Sequence, residues 1–302
     1  MIWGGFALFV LGMLALDLGV FHRKPRKISV REAVGWSIFW IALGVAFNFW
    51  VYHNMGPKAG LEFLAGYLLE KALSVDNLFV FLLVFNYFSV PAQYQHRVLF
   101  WGILGALVMR AVFILLGVSI VATFHWVLYL FGMFLVYSGI KMAFSKDEEI
   151  NPEDNPVVLW VKRHIPVSTS YDGTKMFTRI DGKLHATPLF IVLLVIETTD
   201  VLFAVDSIPA VFGVTTNPFI IFSSNVMAIL GLRALYFALA GLMDLFAYLK
   251  MGLSLVLVFI GAKMLIEHWF DMPTPWALGV IGMVLVVSIG ASLLFPPRKE
   301  EE

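Results

Sequence analysis

Residues 188–212 read PLFIVLLVIETTDVLFAVDSIPAVF, a mostly apolar run with no Lys or Arg and three carboxylates, Glu197, Asp200 and Asp206. About 20 apolar residues in a helix cross the ~30 Å hydrocarbon core of a bilayer. A run of this length is therefore read as a membrane span, and its acids as groups placed inside the membrane. Working outward, the same test gives nine candidate spans, at 2–21, 34–52, 61–88, 98–120, 126–144, 188–212, 218–241, 250–268 and 276–295. The whole chain fits this reading. Of its 302 residues 60% are hydrophobic and 14% charged, against about 45 to 50% and about 25% in a soluble domain. The expectation is one all-α transmembrane domain over 1–302.

Composition also excludes several functions. Lys+Arg 21 against Asp+Glu 21 gives no net field to draw in nucleic acid. The absence of Cys removes disulfides, thiolate nucleophiles and zinc-thiolate sites. The seven His lie at or near the ends of apolar runs or in loops, which argues against a haem held by paired intramembrane histidines. No catalytic constellation is present, so the chain is not expected to be an enzyme.

Basic residues set the orientation. His22-Arg23-Lys24-Pro25-Arg26-Lys27 with Arg31, then Lys146, Lys162, Arg163, Lys175, Arg179 and Lys183, then Arg298-Lys299 all fall on one side when nine spans are threaded. The positive-inside rule places that side in the cytoplasm, with the N-terminus outside and the C-terminus inside. The 145–187 segment is then a cytoplasmic loop. Its start, with Pro152 and Pro156, reads as a solvated linker, and Met176 to Ala186, centred on Asp181-Gly182, as a two-residue β-hairpin. Trp3, Trp50, Tyr52, Trp126 and Trp276 read as interface anchors.

The acidic motif of 188–212 has an echo. Glu70-Lys71-Ala72-Leu73-Ser74-Val75-Asp76-Asn77 aligns with Asp200-Val201-Leu202-Phe203-Ala204-Val205-Asp206-Ser207. Downstream, Arg110 answers Arg233, and Gly139-Ile140-Lys141-Met142 answers Gly261-Ala262-Lys263-Met264. Three spans per unit, 61–144 and 188–268, place the second copy upside down relative to the first. That is the inverted-repeat plan of secondary transporters, with a site near the midplane between the copies.

Asp17, Glu70, Lys71, Asp76, Arg110, Glu197, Asp200, Asp206 and Arg233 all fall inside spans. At roughly 2.5 to 3.5 kcal/mol each on insertion scales they cost on the order of 25 kcal/mol together, so they need partners, water or an ion. Six acids against three bases suit a cation. Glu197 and Asp200 share a helix face, whereas acids six residues apart diverge by about 120° on a regular helix. Pro209 lacks an N–H and would free the Val205 carbonyl, offering a bend and an uncharged ligand. Glu70, Asp76, Asn77, Glu197, Asp200 and Asp206 are thus the candidate metal ligands. Asp17, Arg110 and Arg233 are candidates for the pathway or for charge balance. Carboxylates, Asn77, Ser207 and carbonyls make an all-oxygen set suited to Mg2+, Ca2+ or Mn2+, and Met109, Met142 and Met264 read as packing.

At these motifs, together with Glu197-Thr198-Thr199-Asp200, Ile208-Pro209-Ala210 and Ile229-Leu230-Gly231-Leu232-Arg233, the chain resembles the TerC family of bacterial integral membrane proteins, and within it the Alx branch. The resemblance covers essentially the whole chain. It implies a cell-membrane protein linked to manganese export and metal homeostasis, with Mn2+ as the transported substrate. It also brings a tellurium-resistance label and, for the Alx branch, a description as a redox modulator. Three readings stand: a Mn2+ exporter, a membrane redox component, and an accessory protein that delivers metal to or assists other envelope proteins through the 145–187 loop. The lipid bilayer and a divalent ion are the expected partners.

Overall fold

The computed structural model describes residues 2–21, 29–144, 155–240, 248–270 and 272–294, with side chains from 18 to 21 set aside. The His22–Lys27 block, Lys146 with the first part of the loop, and Arg298-Lys299 lie outside the described residues. The elements run α1 (Ile2–Phe21), α2 (Val30–Met55), α3 (Pro57–Tyr87), α4 (Ala92–Thr123), α5 (Val127–Phe144) and α6 (Pro156–His164). A hairpin of β1 (Phe177–Ile180) and β2 (Lys183–Ala186) follows, then α7 (Pro188–Phe212), α8 (Pro218–Ile229), α9 (Leu232–Leu239), α10 (Leu249–Ile266) and α11 (Thr274–Leu294).

Local chemistry sets the helix starts. Pro57, Pro156, Pro188 and Pro218 stand in the first turns of α3, α6, α7 and α8, where the missing N–H costs nothing. Asn155 and Asn217 cap α6 and α8 by accepting bonds from the backbone N–H groups of Val157 and Val158, and of Phe219 and Ile220. Among the described residues six helices, α2, α4, α5, α7, α10 and α11, are long and apolar enough to cross a membrane. The polarity runs inside out for a soluble protein: Glu70, Arg110, Ser224, Asn225 and Arg233 are buried while Leu8, Phe49 and Val286 are exposed. Such a surface suits lipid, which satisfies apolar side chains and leaves polar groups to find partners inside. Trp3, Trp50, Tyr52, Trp126 and Trp276 are all exposed, as interface anchors should be.

Two readings of the sequence are corrected. The span at 218–241 is not one helix: α8 and α9 meet at 41° across Leu230-Gly231. Gly231 adopts φ 83°, and a Cβ there would lie 2.3 Å from the Trp40 ring of α2, so only glycine fits this left-handed turn against that ring. The second correction concerns the loop. Pro156 starts the amphipathic helix α6 instead of continuing a linker, with Val158 and Val161 buried and the Asn155 side chain donating to Thr198 Oγ1 of α7 at 2.7 Å. The hairpin is as read, with Asp181 (φ 51°) and Gly182 (φ 77°) between the paired Ile180 and Lys183. The loop is docked: Tyr171 Oη donates to the Phe88 carbonyl at 2.7 Å and Arg97 Nη1 to Thr174 Oγ1 at 2.7 Å. Beside it, hydrogen bonds from Lys175 and Thr178 hold the Asp172 carboxyl below its usual range.

Glycine permits the closest helix crossing, between α5 and α10. A Cβ at Gly139 would lie 2.7 Å from the Ser254 carbonyl and also meet Val258. A Cβ at Gly261 would lie 2.6 Å from the Gly132 carbonyl and also meet Val136. Gly132 and Ser254, Val136 and Val258, Gly139 and Gly261 are each 122 residues apart. The two contacts are thus the same contact made in both directions. Around this crossing α3 packs on α7 and α8, and α7 packs on α4.

Candidate ion site at the crossing of α3 and α7

Both acidic motifs keep regular helical geometry, so the acids of each motif do not converge. They form two tiers instead. α7 runs unbroken through Pro209, one turn beyond Asp206.

In the first tier Glu70 of α3 and Asp200 of α7 share one cation, Arg110 of α4. Arg110 Nη1 donates to Glu70 Oε1 and, at 3.4 Å, to Ser207 Oγ; Nη2 reaches Asp200 Oδ1 at 3.2 Å and Nε reaches Oδ2 at 3.4 Å. The fork on Asp200 is the bidentate arrangement that only a planar guanidinium supplies. Asn77 Nδ2 donates to Asp200 Oδ1 at 3.3 Å, and Asn225 Nδ2 of α8 to Glu70 Oε2 at 2.9 Å. Glu70, Arg110 and Asp200 are 0%, 2% and 4% exposed, so the triad is sealed from the surroundings.

The second tier is a cavity of about 20 Å³ lined by Leu73, Asp76, Asn77, Arg110, Met142, Phe203, Asp206 and Ser207. That is room for one water or one bare ion. Ser138 Oγ of α5 donates to Asp206 Oδ1 at 2.7 Å, and Lys141 lies near enough to act on Asp206 electrostatically. Arg110 and Asn77 belong to both tiers and join them.

Of the candidates read from the sequence, Glu70, Asp200, Asn77 and Arg110 come together directly, and Asp76 and Asp206 face the adjoining cavity. Glu197, within the field of Asp200, sits in a notch of α4, where a Cβ on Gly105 would lie 1.9 Å from its Oε1. Arg233 does not join them. It pairs with Asp17 of α1, Nη2 to Oδ1 at 2.9 Å and to the Asp17 carbonyl at 2.7 Å. The alignment of Arg110 with Arg233 therefore matches residues in unlike surroundings, because the break at Gly231 turns α9 toward α1. Lys71 pairs with no acid of the motif: its Nζ donates to the Ala228 carbonyl at 3.0 Å, at the end of α8 where the break leaves carbonyls without helical partners. Lys263 does the same for Gly213 at the end of α7, at 3.0 Å.

Asn225, Ser138 and Lys141 are partners that the acidic motifs alone did not reveal. A buried Asn beside Ser223-Ser224 in an apolar run was the available signal for the first. Met142, read as packing, lines the cavity. Among the described residues no group of three or more His, Asp or Glu is gathered as a metal cluster. Glu70, Asp200 and Asp206 are held instead by Arg110, Asn77, Asn225 and Ser138.

The family model described as "Integral membrane protein TerC family" matches residues 55–300. An "Uncharacterized membrane protein STKORF319" of Myxococcus xanthus is 51% identical over 293 residues, covering 97% of this chain and 92% of that one. A protein of Escherichia coli (strain K12) named "Putative membrane-bound redox modulator Alx" is 46% identical over 297 residues, covering 95% and 92%. An "Uncharacterized membrane protein" of Rickettsia bellii is 38% identical over 294 residues, covering 97% of each. No solved structure matches the chain.

Proposed function

The chain belongs to the TerC family of integral membrane proteins, and from that premise we propose that it is a secondary transporter exporting a divalent cation, Mn2+ first, across the bacterial inner membrane. One observation carries the reading: Asp76 and Asp206, which hold the same place in the two motifs, face one ion-sized cavity from opposite helices. Two carboxylates, the Asn77 amide and the Ser207 hydroxyl are hard oxygen donors of the kind that suit Mg2+, Ca2+ and Mn2+. Mn2+ is preferred on the family resemblance. Glu70 and Asp200 adjoin the cavity through Arg110, and Glu197 lies on the approach to them.

Alternating access follows from the two-copy plan. Adding α1, α3 and the bent pair α8–α9 to the six long apolar helices gives nine crossings. The reciprocal Gly139 and Gly261 contacts at a constant spacing of 122 support an inverted repeat of α3–α5 and α7–α10. The cation would then be exposed to each side in turn as one repeat rocks on the other. On this plan the N-terminus is outside and α6 with the hairpin is cytoplasmic.

The redox name carried by the E. coli relative has no thiol to act through here, since the chain contains no Cys. Purified protein sealed alone into vesicles tests the proposal. Mn2+ should cross wild-type vesicles. Asp76→Asn and Asp206→Asn should each reduce flux at least tenfold, and the double substitution should be little worse than either, since both acids serve one ion. Folded wild-type protein that moves no Mn2+ overturns the transporter reading in favour of an accessory role.

A further inference from the structure

We infer that Arg110 is a tethered counter-ion, a built-in cation that takes the place of the transported metal between Glu70 and Asp200 when the carrier is empty. The inference rests on the transport reading and adds how the empty carrier returns.

Glu70 and Asp200 are equivalent positions of the two motifs, one on α3 and one on α7, and both are buried, 0% and 4% exposed. Two buried carboxylates without a cation are very costly, because burial removes hydration that nothing repays. Arg110 repays it from a third helix, α4, with bonds to both acids at once. A guanidinium keeps its charge throughout any physiological pH range, so this compensation is permanent. Arg110 also lines the cavity beside Asp76 and Asp206. A divalent cation arriving there meets a positive charge that already holds the two most deeply buried acids. Metal and guanidinium therefore compete for Glu70 and Asp200. The long, jointed Arg side chain lets the guanidinium withdraw while its Cα stays in α4. When the metal leaves, Arg110 returns, and the core reorients without stranding bare carboxylates in the hydrocarbon.

A residue that merely holds the fold together gives different results from a competitor. For a competitor, removing Arg110 should tighten equilibrium metal binding and at the same time slow the empty return. Arg110→Gln in detergent, at pH 8 to keep the acids ionised, is expected to bind Mn2+ at least tenfold tighter than wild type by isothermal titration. In vesicles the same variant should lose net Mn2+ flux into metal-free lumen at least tenfold. Exchange of isotopic Mn2+ against Mn2+, which never needs the empty return, should fall several-fold less than net flux does. Arg110→Lys keeps the charge without the fork and should restore part of the net flux. Weaker Mn2+ binding by Arg110→Gln, or equal losses of net flux and exchange, overturns the inference and leaves a structural ion pair. If Arg110→Gln does not fold, Arg110→Lys decides: its net flux must fall further than its exchange, and equal losses overturn the inference. Wild-type protein that moves Mn2+ in neither mode defeats the transport reading itself. Wild-type transport combined with parallel losses in the variants defeats only this step.

Discussion

The α5–α10 crossing offers a measurement that needs no assumption about function. An ordinary carbon-to-carbonyl contact is at least about 3.3 Å, whereas a Cβ at Gly139 would sit 2.7 Å from the Ser254 carbonyl and one at Gly261 2.6 Å from the Gly132 carbonyl. Methyls of Val258 and Val136 also stand in the way, but the carbonyls are backbone, so rotating those side chains does not clear the contact. Gly139→Ala or Gly261→Ala must separate the helices by roughly 0.6 to 0.7 Å at the contact, and overpacking of this kind costs about 1 to 3 kcal/mol. The better helix propensity of Ala offsets up to about 1 kcal/mol of that. Gly279→Ala in α11, where nothing lies within 4 Å of the new Cβ, supplies the reference. Relative to it, each single substitution should destabilise by about 2 kcal/mol. The two costs should match each other, because the contacts are the same one made in both directions. One separation of the helices relieves both clashes, so the double substitution should cost about 1 kcal/mol less than the sum. Reversible SDS titration followed by tryptophan fluorescence measures all four proteins. Single costs within 0.5 kcal/mol of the reference, or additivity within that margin, would refute the reasoning.

Two further outcomes are expected. Gly105→Ala places a Cβ 1.9 Å from the present position of Glu197 Oε1; a flexible carboxylate can swing away, so Mn2+ flux should fall severalfold while SDS stability stays within about 1 kcal/mol of wild type. Arg233→Leu removes the guanidinium from the buried Asp17 carboxylate and should cost about 3 to 5 kcal/mol in the same titration; Asp17→Asn added to it should recover much of the loss.

Physics that is local to the chain was legible in the sequence. Apolar length marks the helices, the cost of charge in hydrocarbon marks Glu70, Asp76, Arg110, Asp200 and Asp206, and Asp181-Gly182 marks the hairpin. Three features depend on residues far apart in the chain and were not legible. Leu230-Gly231-Leu232 reads as ordinary span sequence, and what requires glycine there is the Trp40 ring, 191 positions earlier. The inventory of six acids and three bases says nothing of which pairs form: Arg110 goes to Glu70 and Asp200, Arg233 to Asp17, and Lys71 to a carbonyl. Pro156 could end a linker or begin a helix. Asn155 on one side and Thr198 on the other decide it.

The break at Gly231 also bears on why the crossing of α3 and α7 holds one arginine and not two. On the proposed two-copy plan, α4 of the first unit is continuous and carries Arg110 straight to the crossing of α3 and α7. In the second unit the corresponding span bends by 41°, and Arg233 just past the bend turns to Asp17. Had both arginines reached Glu70 and Asp200, two acids and two guanidiniums would close into a neutral quartet, satisfied and inert toward a cation. With one guanidinium shared between them, the pair keeps a negative charge, and the cation that holds it is anchored on one repeat only. Any movement of the repeats relative to each other then changes how Arg110 reaches Asp200, across the interface, more than how it reaches Glu70, within its own unit. On the transport reading proposed above, this asymmetry supplies what an alternating carrier needs: a bond that one repeat carries and the other can release.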